Sequence, residues 1–126
     1  MTVDLWMLVA SAGLCWALIM LAALPAVKDP KVGLGNRDDL PEPTGLFARA
    51  GRASGNLKEN LPLFAILVLV AHVSGSANET TALGAQIFLG ARVGHALIYI
   101  AGIPGLRTLI WSVSIAGMAM IASALF

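Results

Sequence analysis

The sequence predicts an all-α integral membrane protein, a bundle of four helices, and three observations support this prediction. Apolar residues make up 58% of the 126-residue chain, whereas ordinary soluble domains have roughly 45–50%. Charged residues make up only 12%, which is too few to cover the exterior of a soluble domain. The apolar residues are gathered into four stretches, each long enough to cross a bilayer core of about 30 Å. A helix satisfies its own backbone hydrogen bonds in lipid, so each stretch is predicted to be helical.

The four predicted spans have the approximate bounds 5–27, 56–73, 80–101 and 106–126. The first span contains no charged residue, and the segment before it carries Asp4 rather than Lys or Arg, unlike a cleaved signal peptide. Residues 28–55 form one long polar connection that is rich in glycine and proline. We therefore expect a single four-span domain over residues 1–126.

Net charge and cysteine content exclude other classes of protein. A net charge of +1 argues against a nucleic-acid-binding protein, which would have a basic stripe. The single cysteine, Cys15, has no partner within the chain for a disulfide and excludes a multi-cysteine metal site. His72 and His95 lie at different depths of different spans, so no metal site is predicted.

The lysine and arginine residues predict the orientation in the membrane, because such residues concentrate on the cytoplasmic side. One side of the predicted bundle carries all of the basic residues near span ends: Lys28, Lys31, Arg37, Arg49, Arg52, Lys58 and Arg107. The other side, with both termini and residues 74–79, carries none. We expect both termini outside and the long connection in the cytoplasm.

Ionisable residues inside the spans form two stripes. Arg92, His95 and Tyr99 follow at i, i+3 and i+7, which places them on one face of the third span. Arg92 lies about 15 Å from the cytoplasmic end of that span, so its charge needs a counter-charge or water. The second stripe lies on one face if its segment is helical: Arg49, Arg52, Asn56 and Glu59.

Two interpretations of these stripes stay open from the residues alone. Glu59 and Arg92 could neutralise each other as a structural ion pair. Alternatively, the excess of three arginines over one glutamate could bind an anion. Fixed cations, one carboxylate and further hydrogen-bonding side chains suit a small zwitterionic ligand with several carboxylates.

Two motifs resemble those of a known family. Residues 52–64, RASGNLKENLPLF, resemble the R-A-x-x-N-x-x-E-x-x-P-x-F signature of the MAPEG family, the membrane-associated proteins of eicosanoid and glutathione metabolism. Residues 90–95, GARVGH, with Tyr99 and Arg107 after them, resemble the family's R-x-x-H-x-x-x-Y pattern with a later arginine. The chain length, the four spans and the long first connection also match, and that connection looks like the bacterial branch of microsomal glutathione transferase-like proteins.

The resemblance implies a homotrimer that binds glutathione between neighbouring subunits near the cytoplasmic face. By motif, Arg52 and Asn56 would hold glutathione carboxylate and backbone groups, and Glu59 would pair with its amino group. Arg107 matches the arginine that stabilises the thiolate. The third-span stripe would line the site: Arg92, His95 and Tyr99. Charge alone makes three further residues candidates for the second carboxylate: Arg49, Lys28 and Lys31.

The resemblance further implies a membrane-bound glutathione transferase, or a glutathione-dependent peroxidase, that acts in detoxification in a bacterial inner membrane. Its second substrate would be a lipophilic electrophile that arrives from the bilayer. The alternative is a non-catalytic member of the family that binds a lipid or a partner protein. A small four-span drug transporter is disfavoured, because such transporters depend on an acidic residue that the first span lacks.

Overall fold

The computed structural model describes residues 1–38 and 40–126. Asp39, which belongs to the connection that resembles the bacterial branch, lies outside the described residues. About 80% of the chain is helical, and the described residues contain no strand. The helices are α1 (Val3–Lys28), α2 (Pro30–Gly33), α3 (Gly45–Val73), α4 (Glu79–Ala101) and α5 (Leu106–Ser123).

Four of these helices, α1, α3, α4 and α5, are long and apolar enough to cross a membrane. The prediction of an all-α, four-span bundle is therefore confirmed. The four long helices alternate in direction along the chain. At one end of the bundle lie the C-termini of α1 and α4 and the N-termini of α3 and α5. We call this the basic end, because it carries Lys28, Arg49 and Arg107. The opposite end carries Asp4 and Thr81.

Helix α3 is the element that positions most of the candidate site. It begins at Gly45 and runs unbroken to Val73, so it continues well beyond the predicted span of about 56–73 toward the basic end. The second stripe was predicted to share one face only if its segment is helical, and the structure shows that this segment is helical. Its polar residues Arg49, Arg52, Asn56 and Glu59 lie along one face of a single helix.

The interior of the bundle depends on stripes of small and aromatic residues. Helix α1 buries only one narrow stripe, Asp4, Ser11, Cys15 and Leu18, and packs chiefly against α3. Between α3 and α4, the fully buried rings of Phe64 and Phe88 stack with centroids 3.9 Å apart. This stacked pair fixes the spacing of the two helices that carry the polar stripes.

Helix α5 approaches α4 most closely at a pair of glycines. A Cβ on Gly117 would lie 2.6 Å from the carbonyl oxygen of Gly84, and a Cβ on Gly84 would lie 2.6 Å from the carbonyl oxygen of Gly117. Only glycine at both positions permits this backbone contact. The sequence pair Gly90 and Gly94, spaced as a helix-contact motif, does not provide it. Among the described residues, no atom lies within 4 Å of a Cβ on Gly90, and a Cβ on Gly94 would meet only the Ile110 side chain.

The ends of α4 are fixed by local hydrogen bonds. At its start, Asn78 Oδ1 accepts from the backbone N–H of Thr81 while Thr81 Oγ1 accepts from the backbone N–H of Asn78, which is a capping box. At its end, Gly102 adopts the left-handed conformation with φ 73°. The chain then turns through Pro104 and Gly105 into α5, which places Arg107 beside the last turns of α4.

Candidate ligand-binding site

The two polar stripes meet at a hydrogen bond between α3 and α4. Arg92 Nη1 donates to Asn56 Oδ1 over 2.6 Å. The bond joins the middle of the α3 stripe to the deepest residue of the α4 stripe. The two faces that the sequence placed on separate helices therefore form one continuous polar surface in the basic half of the bundle.

Arg92 is buried to an extent that is unusual for a charged residue, with only 2% of its surface exposed. Its guanidinium carbon lies 5.3 Å from the ring centroid of Phe88, one turn earlier on α4, within the range of a cation–π contact. Within the described residues, its Nε and Nη2 atoms have no hydrogen-bond partner. A buried cation with two unsatisfied donors provides a strong local attraction for an anion.

The alternative of a structural ion pair between Glu59 and Arg92 is not found among the described residues. Arg92 makes its one hydrogen bond to the Asn56 amide, and the Glu59 side chain is exposed. Arg52 is exposed as well. Arg52 and Glu59 thus flank Asn56 on the same face of α3, one turn to either side, with both charged groups accessible on the surface of the chain.

A second contact series continues the polar surface toward the basic end. The rings of His95 and Tyr99 on α4 lie 5.0 Å apart and are tilted by 58°. The guanidinium carbon of Arg107, in the first turn of α5, lies 5.4 Å from the ring centroid of Tyr99. His95 is buried, Tyr99 is half-buried and Arg107 is exposed. Solvent exposure along the polar surface therefore increases from the buried Arg92 to the exposed Arg107.

Arg49 has a contact that the sequence did not predict. Its Nε donates to the backbone carbonyl of Ile100 over 3.0 Å, and its guanidinium packs near Gly102 at the end of α4. The last carbonyls of a helix lack partners and carry partial negative charge, so a cation there is favourable. Arg49 thus ties the start of α3 to the end of α4, and its predicted contact with a ligand carboxylate stays a prediction.

The remaining basic candidates belong to other helices, and their predicted contact with a ligand carboxylate stays a prediction. Lys28 ends α1 and Lys31 lies in α2, and both are exposed at the basic end. Phe88 is the site residue that the sequence analysis missed. Its position one turn before Arg92 on the same helix was the available signal, since residues four apart on a helix are neighbours.

The fold and this surface define a class of protein: an integral membrane helical bundle with a cationic polar surface between its second and third spans. The comparison with family models then makes the identification. The MAPEG family model matches residues 3–126, essentially the whole chain, so the chain belongs to the MAPEG family. The resemblance seen in the sequence is confirmed. No curated protein and no solved structure matched the chain.

Proposed function

We propose that the protein is a membrane-bound glutathione transferase that conjugates the glutathione thiolate to lipophilic electrophiles. Membership of the family supports glutathione- or eicosanoid-related chemistry at the family level. The observation that favours glutathione binding in this chain is the Asn56–Arg92 junction. It leaves a buried guanidinium with two unused donors next to an accessible arginine and an accessible carboxylate.

Glutathione has two carboxylates, one ammonium group, peptide groups and a thiol, and the polar surface offers a partner for each class of group. In the proposal, Arg52 and Asn56 bind carboxylate and backbone groups, and Glu59 pairs with the ammonium group. The buried Arg92, which is hydrogen-bonded to Asn56, adds positive charge that attracts the ligand's carboxylates. His95 and Tyr99 line the surface toward the basic end, and Arg49 is the candidate for the second carboxylate.

The proposed catalytic residue is Arg107. A free thiol has a pKa of about 8.5, so only a few per cent is thiolate at neutral pH. A nearby guanidinium stabilises the charged form and lowers the pKa of the thiol, which raises the fraction of the reactive nucleophile. Arg107 is exposed and is held over the Tyr99 ring, so its donors are free to face a bound thiol.

The assembly and the location are parts of the same proposal. We propose a homotrimer in which a neighbouring subunit covers the exposed side of Arg52 and Glu59. The protein lies in a bacterial inner membrane with its basic end on the cytoplasmic side, because lysine and arginine concentrate on that side. Glutathione would then enter from the cytoplasm, and the lipophilic electrophile would enter sideways from the bilayer.

The first experiment measures conjugation of an aromatic halide by the purified protein, with glutathione and with other low-molecular-weight thiols. In parallel, thermal unfolding is followed with and without glutathione. A ligand at 100 times its Kd stabilises the folded state by about 2.7 kcal/mol, so we expect a clear rise in Tm. Glu59→Ala should abolish this rise, whereas Glu79→Ala, which removes an exposed glutamate at the opposite end of the bundle, should retain it.

The second experiment separates binding from activation of the thiol. Thiolate absorbance at about 240 nm should appear on glutathione binding and disappear in Arg107→Ala, while the Tm shift is retained. Persistence of the absorbance would assign activation to another residue. Glutathione binding without conjugation of any electrophile, or no glutathione binding at all, would favour the non-catalytic lipid- or partner-binding alternative.

A further inference from the structure

The residues of the proposed glutathione site lie on helices that are joined through α4. Arg52, Asn56 and Glu59, which would bind glutathione, belong to α3, whereas Arg107, which would activate the thiol, belongs to α5. Helix α5 packs mainly against α4 and only slightly against α3. Within the described residues, no hydrogen bond joins α3 to α5 directly. The distance between the bound ligand and Arg107 therefore depends on how α3 is fixed to α4.

Two hydrogen bonds fix α3 to α4 in the described part of the chain. One joins Asn56 to Arg92 over 2.6 Å, and the other runs from Arg49 Nε to the backbone carbonyl of Ile100 over 3.0 Å. The second bond is the nearer of the two to Arg107, because Ile100 lies in the last turn of α4, just before the chain turns into α5. Arg49 thus holds α3 against the end of α4 that leads to the proposed catalytic residue.

The chain's own hydrogen bonds at the end of α4 leave the Ile100 carbonyl for Arg49. The backbone N–H groups of Gly102 and Ile103 donate to the carbonyls of the two residues before Ile100, over 3.0 and 3.2 Å. The last four carbonyls of a helix have no partner within it, and these bonds satisfy two of them. The Arg49 guanidinium satisfies the next one and adds a positive charge where the helix end carries partial negative charge.

The Arg49 guanidinium also lies against the turn between α4 and α5. A Cβ on Gly102 would lie 3.4 Å from Arg49 Nη1. Gly102 and Gly105 have φ angles of 73° and 88°, in the left-handed region that favours glycine, so the chain turns sharply between the two helices. Arg107 comes two residues after Gly105, with its guanidinium carbon 5.4 Å from the ring centroid of Tyr99. A shift of the α4 end would therefore move the start of α5, and Arg107 with it.

We propose that Arg49 is a positioning residue for Arg107. By holding the end of α4 against α3, it sets the distance between the glutathione-binding groups of α3 and the guanidinium that stabilises the thiolate. This inference rests on the proposed function. It is distinct from the predicted contact of Arg49 with a ligand carboxylate, because such a contact contributes to the affinity for glutathione and not to the ionisation of its thiol.

The test is a pH titration of the thiolate absorbance at about 240 nm, with the purified full-length protein saturated with glutathione. Saturation removes differences in affinity from the measurement. Arg49→Met removes the guanidinium and keeps a long side chain. Because Arg107 is then displaced from the sulfur, the midpoint should move to higher pH, and the ratio of thiolate to thiol at neutral pH should fall about tenfold. Arg49→Lys keeps a cation that can donate to the carbonyls of a helix end, so its ratio should stay within about threefold of the wild type.

Two controls separate positioning from binding. Arg52→Met makes the same chemical change three residues further along α3, at an exposed arginine that has no hydrogen bond to the described residues of α4. It should raise the Kd for glutathione and leave the midpoint at saturation in place. The double variant Arg49→Met with Arg107→Ala should have the same midpoint as Arg107→Ala alone, because Arg49 acts through Arg107.

A second variant perturbs the same contact and leaves Arg49 intact. Gly102→Ala places a Cβ 3.4 Å from Arg49 Nη1 at a φ of 73°, which side chains rarely adopt. Its midpoint should move in the same direction as that of Arg49→Met. Circular dichroism checks that each variant is folded, and Gly102→Ala decides the question if Arg49→Met does not fold.

Three results would overturn the inference and leave the proposed function standing. These are an unchanged midpoint in folded Arg49→Met, an unchanged midpoint in Gly102→Ala, and a further rise of the midpoint when Arg49→Met is added to Arg107→Ala. The last result would show that Arg49 acts independently of Arg107. A wild-type protein that binds no glutathione, or binds it without forming thiolate, would instead refute the proposed function and the inference together.

Discussion

Replacement of Asn56 by alanine should destabilise the protein by leaving the Arg92 guanidinium wholly unpaired. Arg92 is 2% exposed, and the one hydrogen bond that it makes to the described residues goes to Asn56 Oδ1, over 2.6 Å. A hydrogen bond to a charged group contributes about 1.5–3 kcal/mol. We expect Asn56→Ala to lower the free energy of unfolding by this amount.

A double-mutant cycle isolates the contact from other effects of the substitution. Arg92→Met removes the buried charge and keeps an extended apolar side chain against Phe88. In the Arg92→Met background Asn56 no longer has a charged partner. Adding Asn56→Ala there should therefore lower the free energy of unfolding only slightly. The predicted coupling energy is therefore about 1.5–3 kcal/mol.

The assay is reversible unfolding in mixed micelles of dodecyl maltoside and sodium dodecyl sulfate, followed by circular dichroism. Arg52→Met is the matched control, because Arg52 is an exposed arginine on the same face of α3. Its effect should stay within about 0.5 kcal/mol. A coupling energy between Asn56 and Arg92 below about 0.5 kcal/mol would refute the reasoning, since neighbours that interact couple by at least that amount.

Two further predictions concern the packing of the bundle and are checked by the same unfolding assay. Gly117→Ala should cost about 1–3 kcal/mol by overpacking, because the new Cβ would meet the Gly84 carbonyl oxygen at 2.6 Å. Gly13→Ala should not destabilise the protein, because no atom of the described residues lies within 4 Å of the new Cβ. Equal costs for the two substitutions would contradict the close contact at Gly117. Thr81→Val should cost about 1–3 kcal/mol, because it removes the hydroxyl that lies 3.2 Å from the buried Asp4 carboxylate and that accepts the Asn78 backbone N–H at the start of α4. Unchanged stability would show that this contact does not hold the end of the bundle together.

Much of the candidate site followed from helical periodicity. Arg92, His95 and Tyr99 share a face because of their spacing, and the same is true of Arg52, Asn56 and Glu59. The family resemblance selected the same residues, and the family is confirmed over residues 3–126. The proposed roles of these residues in glutathione binding remain predictions for the experiments above.

The partners of individual side chains did not follow from periodicity. Charge alone suggested Glu59 as the partner of Arg92, yet the structure pairs Arg92 with the Asn56 amide. The contact of Arg49 Nε with the backbone carbonyl of Ile100 did not follow from the sequence either, and the predicted contact of Arg49 with a ligand carboxylate stays a prediction. A backbone acceptor at a helix end has no signature in the sequence, because every residue supplies the same carbonyl group.

The number of spans, their helical form and the membership of each polar stripe were determined by the sequence itself. The physical reason is that lipid leaves the backbone few alternatives and that the helical period is fixed. The tertiary structure alone decided which helices are in contact and which residues face each other along them. The glycine contact between Gly84 and Gly117 and the proximity of Gly51 to Ala22 each depend on the relative register of two helices. That register results from packing between segments distant in the chain, which a local pattern does not encode.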